Sequence, residues 1–191
     1  MIYLLIASYL IGSISSAVII CKIFGIPDPR TQGSKNPGAT NVLRLGGKKM
    51  AGFVLTFDGL KGATPVIIGH YLEFGLTQLT LIALCAFFGH IFPVFFRFRG
   101  GKGVATYLGG LIAINLFVGV IFSVIWLLVA KVLKTSSLAA LIATALSPFY
   151  FYLITGDMAS TLIIGLISLL IFYTHRGNIK RLINKEEDII Q

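Results

Sequence analysis

The chain has 191 residues, 56% of them apolar and only 12% charged, with a formal net charge of +9 and a mean hydropathy of +0.90. A soluble domain of this size carries about a quarter charged residues, so composition excludes one and points to an all-α, polytopic integral membrane helical bundle, a single domain over residues 1–191. The positive balance does not call for nucleic acid as a partner, because the charges sit in loops between apolar spans, where positive-inside topology accounts for most of them.

Residues 2–20 predict the first span, retained because Met1-Ile2-Tyr3-Leu4 lacks the basic start of a signal peptide and no small-x-small cleavage site follows. Cys21 lies near its end and Cys85 in the third span, without zinc spacing or a disulfide framework. The loop over 22–49 holds Lys22, Arg30, Lys35, Arg44, Lys48 and Lys49. It therefore faces the cytoplasm, with the amino terminus outside. Residues 50–71 predict a second span with Asp58-Gly59-Leu60-Lys61-Gly62-Ala63-Thr64-Pro65 in its middle. Asp58 and Lys61, at i and i+3, share a helix face and can pair. Charges at membrane depth face the protein interior or a wet cavity. A structural ion pair is one reading; Lys61 lining an anion site is the other. Gly59, Gly62 and Pro65 predict a broken or kinked helix.

Residues 73–77 have no Lys or Arg and form an external turn. The third span covers 78–96, and His90 near its end reads most simply as a satisfied core residue. Arg97-Phe98-Arg99-Gly100-Gly101-Lys102-Gly103 follows, basic and glycine-rich. It has half of a Walker loop, but Gly103 replaces Ser/Thr and no strand precedes it, which excludes an NTPase. One helix over 104–133 would put Lys131 and Lys134 outside. A split near Asn115 into a short helix (104–114) and a longer one (117–130) returns both to the cytoplasm. Residues 137–153 go out, Gly156-Asp157 turns, and 161–173 return. About seven membrane helices result, some short or broken, with the carboxyl terminus cytoplasmic; five long spans are the alternative. Every Lys and Arg except Lys61 then lies inside. Beyond Thr174, a helix would put His175, Asn178 and Arg181 on one face. Glu186-Glu187-Asp188 reads as a solvated tail.

Three polar stretches thus meet the cytoplasmic face. The first is Gly33-Ser34-Lys35-Asn36-Pro37-Gly38-Ala39-Thr40-Asn41-Val42-Leu43-Arg44. Glycine amides, hydroxyls, carboxamides, lysine and guanidinium suit a phosphate. Candidate phosphate-binding residues are Ser34, Asn36, Gly38, Thr40, Asn41, Arg44, Gly100, Gly101, Lys102 and Gly103, with Lys61 and Ser137 as further candidates. The set is poor in carboxylates, which argues against metal-dependent phosphotransfer; no metal and no cofactor is expected.

Gly33-Ser34-x-Asn36-x-Gly38-Ala39-Thr40-Asn41, Gly100-Gly101-Lys102-Gly103-Val104-Ala105-Thr106 and His175-x-x-Asn178-Ile179-x-Arg181-Leu182 resemble the three signature motifs of the PlsY family, bacterial glycerol-3-phosphate acyltransferases that use acyl phosphate. The resemblance spans the chain, with Lys35 where glycine is expected and Gly177 preceding Asn178 as departures. It implies seven membrane helices in the bacterial inner membrane, with the active site facing the cytoplasm. It implies transfer of an acyl group from acyl phosphate to the sn-1 hydroxyl of glycerol-3-phosphate, giving lysophosphatidate and phosphate, the first step of phospholipid synthesis. It further implies Ser34, Arg44 and Lys102 on the glycerol-3-phosphate phosphate, His175 and Asn178 at the acyl phosphate, and a functional link to a soluble enzyme that makes acyl phosphate. Membrane lipid is the remaining partner. No Ser/His/Asp triad is evident, so either His175 or a substrate phosphate oxygen takes the hydroxyl proton. A transporter or channel for a phosphorylated small molecule is the alternative function.

Overall fold

The computed structural model describes residues 1–189, and these form α-helices joined by short loops, with no strand among them. Helices α1 (Ile2–Gly12) and α2 (Ser16–Ile23) make the first span, bent by 41° between them. The single span expected over 2–20 is thus two pieces. The break has a local and a distant cause. Ser13 turns its hydroxyl back on Tyr9 O at 2.8 Å, and Ile14 O, released from the helix ladder, accepts from the Lys61 ammonium at 2.7 Å.

Helix α3 (Ala39–Tyr71) is two helical runs joined across a kink at Gly47, so its second run starts close to the expected residue 50. Its one non-helical residue is Gly47, at φ 79° and ψ −179°, a conformation that glycine adopts without strain. The break expected at Gly59, Gly62 and Pro65 is not there. Those glycines serve packing instead. Gly62 lies against the Thr106 carbonyl, and Gly109 against the Gly59 carbonyl, so closely that a Cβ at either would overlap backbone. This is the small-residue crossing that lets membrane helices touch. It joins α3 to α5 (Val104–Ile114).

Helix α4 (Leu76–Ile91) starts where the Gln78 side chain accepts from Gly75 N at 2.8 Å. A 3₁₀ turn (Val94–Phe96) leads to the second basic loop. Asn115 separates α5 from α6 (Leu116–Leu133), as charge parity required. It is extended, and its side-chain oxygen caps Val118 N at 3.2 Å. Helix α7 (Ser136–Thr155) packs against α6 and α8. Asp157 caps α8 (Met158–Thr174) through Ser160 N at 2.6 Å. Helix α9 (Arg176–Ile183) follows at a 60° bend. Among the described residues, four helical segments are long and apolar enough to span a bilayer, or up to six when each bent pair is counted as one span. The apolar α5 is too short to be counted with them, its 11 residues reaching only about 16 Å against a core of about 30 Å, so four to six spans stand where seven were expected. Phe87, Tyr107, Leu111, Phe122, Phe151, Ile164 and Ile167 fill the space between α4, α5, α6, α7 and α8.

Asp58 and Lys61 pair at 2.8 Å, both almost fully buried. Ser16 Oγ donates to Asp58 Oδ1 at 2.6 Å. His90 Nδ1 is 3.7 Å from the same oxygen and 3.0 Å from Thr106 Oγ1. The charge pair therefore ties α1, α2, α3, α4 and α5 together beneath the basic loops, and His90 is a satisfied core residue.

Candidate active site

The first polar stretch is held by its own asparagine. Asn41 is buried, and its carboxamide donates to Pro29 O at 2.9 Å and Gln32 O at 3.0 Å. Its oxygen accepts from Ser34 N at 3.0 Å. All three hydrogen bonds go to backbone, so Asn41 shapes the loop that carries Ser34 and Asn36. Lys35 adopts the left-handed φ of 57°, which explains why a glycine suits that position. The extended Gly38 then starts α3, whose first turns carry Thr40 and Arg44.

The second stretch is pressed onto the end of α4. Gly101 N donates to His90 O at 3.2 Å. A Cβ on Gly100 would overlap the His90 and Ile91 carbonyls, and one on Gly101 would overlap the His90 ring. Gly103 has φ 87° and faces the Phe87 ring. These three glycines are needed first for close packing, which sets Lys102 at the start of α5.

The third stretch closes over the second. Thr174 Oγ1 donates to Lys102 O at 3.2 Å, and the Lys102 ammonium donates to the Asn178 carboxamide oxygen. His175, at the bend between α8 and α9, is buried; its Nδ1 donates to Ile171 O at 2.8 Å. That bond leaves Nε2 as the imidazole nitrogen with a free lone pair.

These groups surround one cavity of about 890 Å³. Ser34, Asn36, Gly38, Thr40, Asn41, Arg44, Lys102, Gly103, Ser137, His175 and Asn178 line it. Gly100, Gly101 and Lys61 do not; the Lys61 ammonium is committed to Asp58 and Ile14 O. The cavity continues from this polar end along an apolar wall of Leu55, Leu108, Phe122, Trp126 and Leu127. Leu55 on α3 and Leu127 on α6 are also exposed on the outer surface of the bundle.

Of the carboxyl-terminal acids, Glu186 and Asp188 are exposed as expected of a solvated tail, but Glu187 is drawn in. The Glu187 carboxylate accepts from Ser137 Oγ at 2.7 Å, from the Asn178 amide and from Arg181 Nε at 2.7 Å. Asp188 pairs with Arg44 at 2.9 Å. With Asp58 at the cavity's floor, the site thus contains three carboxylates rather than few. Sequence reasoning also missed Ser136, whose hydroxyl is 3.3 Å from Thr40 Oγ1. The signal available was a Ser136-Ser137 pair opening a span at the basic face.

Electrostatics follow from crowding. Burial brings the Lys102 ammonium down to about 8; Glu187 opposes the shift, and Arg181 and Arg44 add to it. Burial, and then Lys102, bring His175 down to about 4, against the Ile171 hydrogen bond and Glu187. Burial raises Glu187, but donors from Ser137, Asn178 and Arg181 outweigh it and hold the carboxyl below its ordinary value. At neutral pH the site therefore offers a neutral imidazole beside a lysine still mostly charged.

A family model described as glycerol-3-phosphate acyltransferase matches residues 2–185. A glycerol-3-phosphate acyltransferase of Ruthia magnifica is 61% identical over 99% of this chain and 96% of its own length. One of Legionella pneumophila is 48% identical over all of this chain and 69% of its own. Two crystal structures of PlsY (YgiH), an integral membrane glycerol 3-phosphate acyltransferase, superpose over the whole chain and 95% of their own. The glycerol 3-phosphate form has TM-score 0.94 and 37% identity; the lysophosphatidic acid form has 0.92 and 36%. The chain belongs to the glycerol-3-phosphate acyltransferase family of PlsY type, as an integral membrane enzyme.

Proposed function

We propose that the protein moves a fatty acyl group from acyl phosphate to the sn-1 hydroxyl of glycerol-3-phosphate, giving lysophosphatidate and inorganic phosphate. The observation that carries this reading is the joining of Arg44, Lys102, Asn178 and His175 in one cavity whose far wall is apolar. The cationic end suits two phosphates, and the wall suits an acyl chain. Arg44, Lys102 and Ser34 hold the phosphate of glycerol-3-phosphate. Asn178, with its amide beside Lys102, holds the acyl phosphate. The positive-inside pattern supports a cytoplasmic position for this end and an outside amino terminus; with it go a bacterial inner-membrane location and a soluble enzyme that supplies acyl phosphate.

In the reaction the C1 hydroxyl oxygen bonds to the acyl carbonyl carbon, and the developing oxyanion takes hydrogen bonds from the cationic end of the cavity. The hydroxyl proton goes to His175 Nε2, which is the nitrogen free to accept it. The carbonyl re-forms as the carbon–oxygen bond to phosphate breaks, and inorganic phosphate leaves with the electron pair. Because acyl phosphate is already activated, most of the work is positioning and charge stabilisation.

The test is phosphate release from purified protein given palmitoyl phosphate, with and without glycerol-3-phosphate, and with acyl-CoA as a competing donor. The expected result is release that requires glycerol-3-phosphate, with lysophosphatidate in equal amount. Lysophosphatidate formed only from acyl-CoA would overturn the donor assignment. Binding of glycerol-3-phosphate without turnover would favour a transporter.

A further inference from the structure

A second cleft, of about 400 Å³, lies between the first and second basic loops and shares no lining residue with the reaction cavity. Asp28 and Arg30 wall it from one side, and Phe95, Phe96, Arg97 and Arg99 from the other. The first wall is fixed by an ion pair. The Arg30 guanidinium donates to Asp28 through Nη2 at 2.7 Å and Nε at 3.1 Å, and it lies 5.9 Å from the centre of the Phe96 ring. The second wall is fixed by a tight turn. Phe98 N donates to Pro93 O at 2.9 Å, and Arg99 N to Phe96 O at 3.2 Å. That turn holds Arg97 and Phe98 in left-handed backbone, at φ 55° and 58°, a conformation costly to residues with side chains.

Charge in the cleft is unbalanced. Three guanidiniums face one carboxylate, and that carboxylate is committed to Arg30. Among the described residues no carboxylate pairs with Arg97 or Arg99, and both are exposed. Positive-inside topology accounts for arginines on this side of the membrane. It does not account for their convergence from two loops on one concavity. Their depth points the same way. The apolar span Leu76–Phe96 ends at the residue before Arg97, so the two unpaired guanidiniums stand at the level of lipid headgroups. Phe92, Val94, Phe95 and Phe98 are exposed beside them. An occupant thus meets planar cations at one end and apolar side chains at the other.

We propose that this cleft is a second anion site, one that holds the headgroup of an anionic phospholipid from the surrounding leaflet. The guanidiniums of Arg97 and Arg99 donate to the phosphodiester oxygens, and the acyl chains run down past Phe95 and Phe98. A soluble phosphate would satisfy the guanidiniums but leave the exposed phenylalanines without a role. The bound lipid braces the loop whose next residues, Gly100 and Gly101, are pressed onto α4 ahead of Lys102. Each cation beside an anionic headgroup is worth about fivefold in binding, so the two give an upper bound of about 25-fold.

The experiment reads the binding of spin-labelled phosphatidylglycerol and phosphatidylcholine to the full-length detergent-solubilised protein. The expected wild-type preference for phosphatidylglycerol is at least about fivefold, falling below about twofold in R97Q/R99Q. K131Q/K134Q removes the same charge from another loop on the same side, and should keep the wild-type preference. A wild-type preference retained in R97Q/R99Q would overturn the proposal. An equal loss in K131Q/K134Q would also overturn it, because general charge would then be the cause. Displacement of the labelled lipid by millimolar inorganic phosphate or glycerol-3-phosphate would overturn the lipid assignment and leave a site for soluble phosphate. A second measurement needs no substitution: a phosphatidylglycerol with a photoactivatable headgroup should label residues 92–99 of the wild-type protein in preference to residues 131–135. Equal labelling of the two segments would overturn the proposal. Both measurements are made without acyl donor, so their outcome is independent of the acyl-transfer reading.

Discussion

The Lys102 ammonium donates to the carboxamide oxygen of Asn178, 76 positions along the chain. One residue comes from the loop before α5 and the other from α9, so this contact joins the second and third polar stretches. Asn178→Ala is expected to lower kcat/KM for glycerol-3-phosphate by about 10²–10³-fold, the usual cost of losing one preorganised donor together with its neighbour's alignment. Asn178→Asp keeps the shape but adds negative charge, so it should raise KM more than it lowers kcat. Steady-state kinetics on both variants checks this.

Lys102 gives the site an alkaline limit. Its pKa of about 8 lies below that of an ordinary lysine, so the charge is present below pH 8 and lost above it. Affinity for an anionic substrate should fall as pH rises through 8. Lys102→Arg should keep the charge and remove that limb, because arginine does not titrate there. His175, at about 4, stays neutral from pH 5 upward and should add no inflection between 5 and 7 beyond the substrate's own phosphate ionisation near 6. A pH profile of kcat and kcat/KM for both proteins is the measurement.

Asp58 and Lys61 are a buried pair in the membrane interior. Asp58→Asn strands the lysine charge and is expected to cost about 3–5 kcal/mol. The double variant D58N/K61M removes both charges and should recover most of the loss. Thermal unfolding in detergent reads both. Lys61→Met with unchanged melting but lost binding of glycerol-3-phosphate would instead make Lys61 part of the anion site.

Lys35 carries a side chain in left-handed backbone. Lys35→Gly relieves that strain and should stabilise the loop by about 1 kcal/mol, seen as slower proteolytic nicking between residues 30 and 36.

The split at Asn115 was readable because Lys131 and Lys134 would otherwise lie on the wrong side, and the observed cap at Val118 N supplies its cause. The shared direction of His175, Asn178 and Arg181 was readable from helical spacing alone. The bend between α1 and α2 was not, because it depends on Ile14 O meeting Lys61, 47 residues away. The role of Gly59 and Gly62 was misread for a similar reason: they look like helix breakers until α5 is packed on them. The seat of Glu187 depends on Ser137, 50 residues distant, and no local pattern marks it. Local chemistry was legible, then, and long-range partnerships were not.

Leu55 and Leu127 each face both the cavity and the outside of the bundle. A lipid tail bound there need not leave hydrocarbon in order to react. Lifting a sixteen-carbon chain into water would cost about 12 kcal/mol at about 0.8 kcal/mol per methylene. An opening towards the bilayer avoids nearly all of that. Solubility in the membrane then governs how much of each donor reaches the chemistry, and the finished lysolipid departs sideways into the leaflet where it will be used.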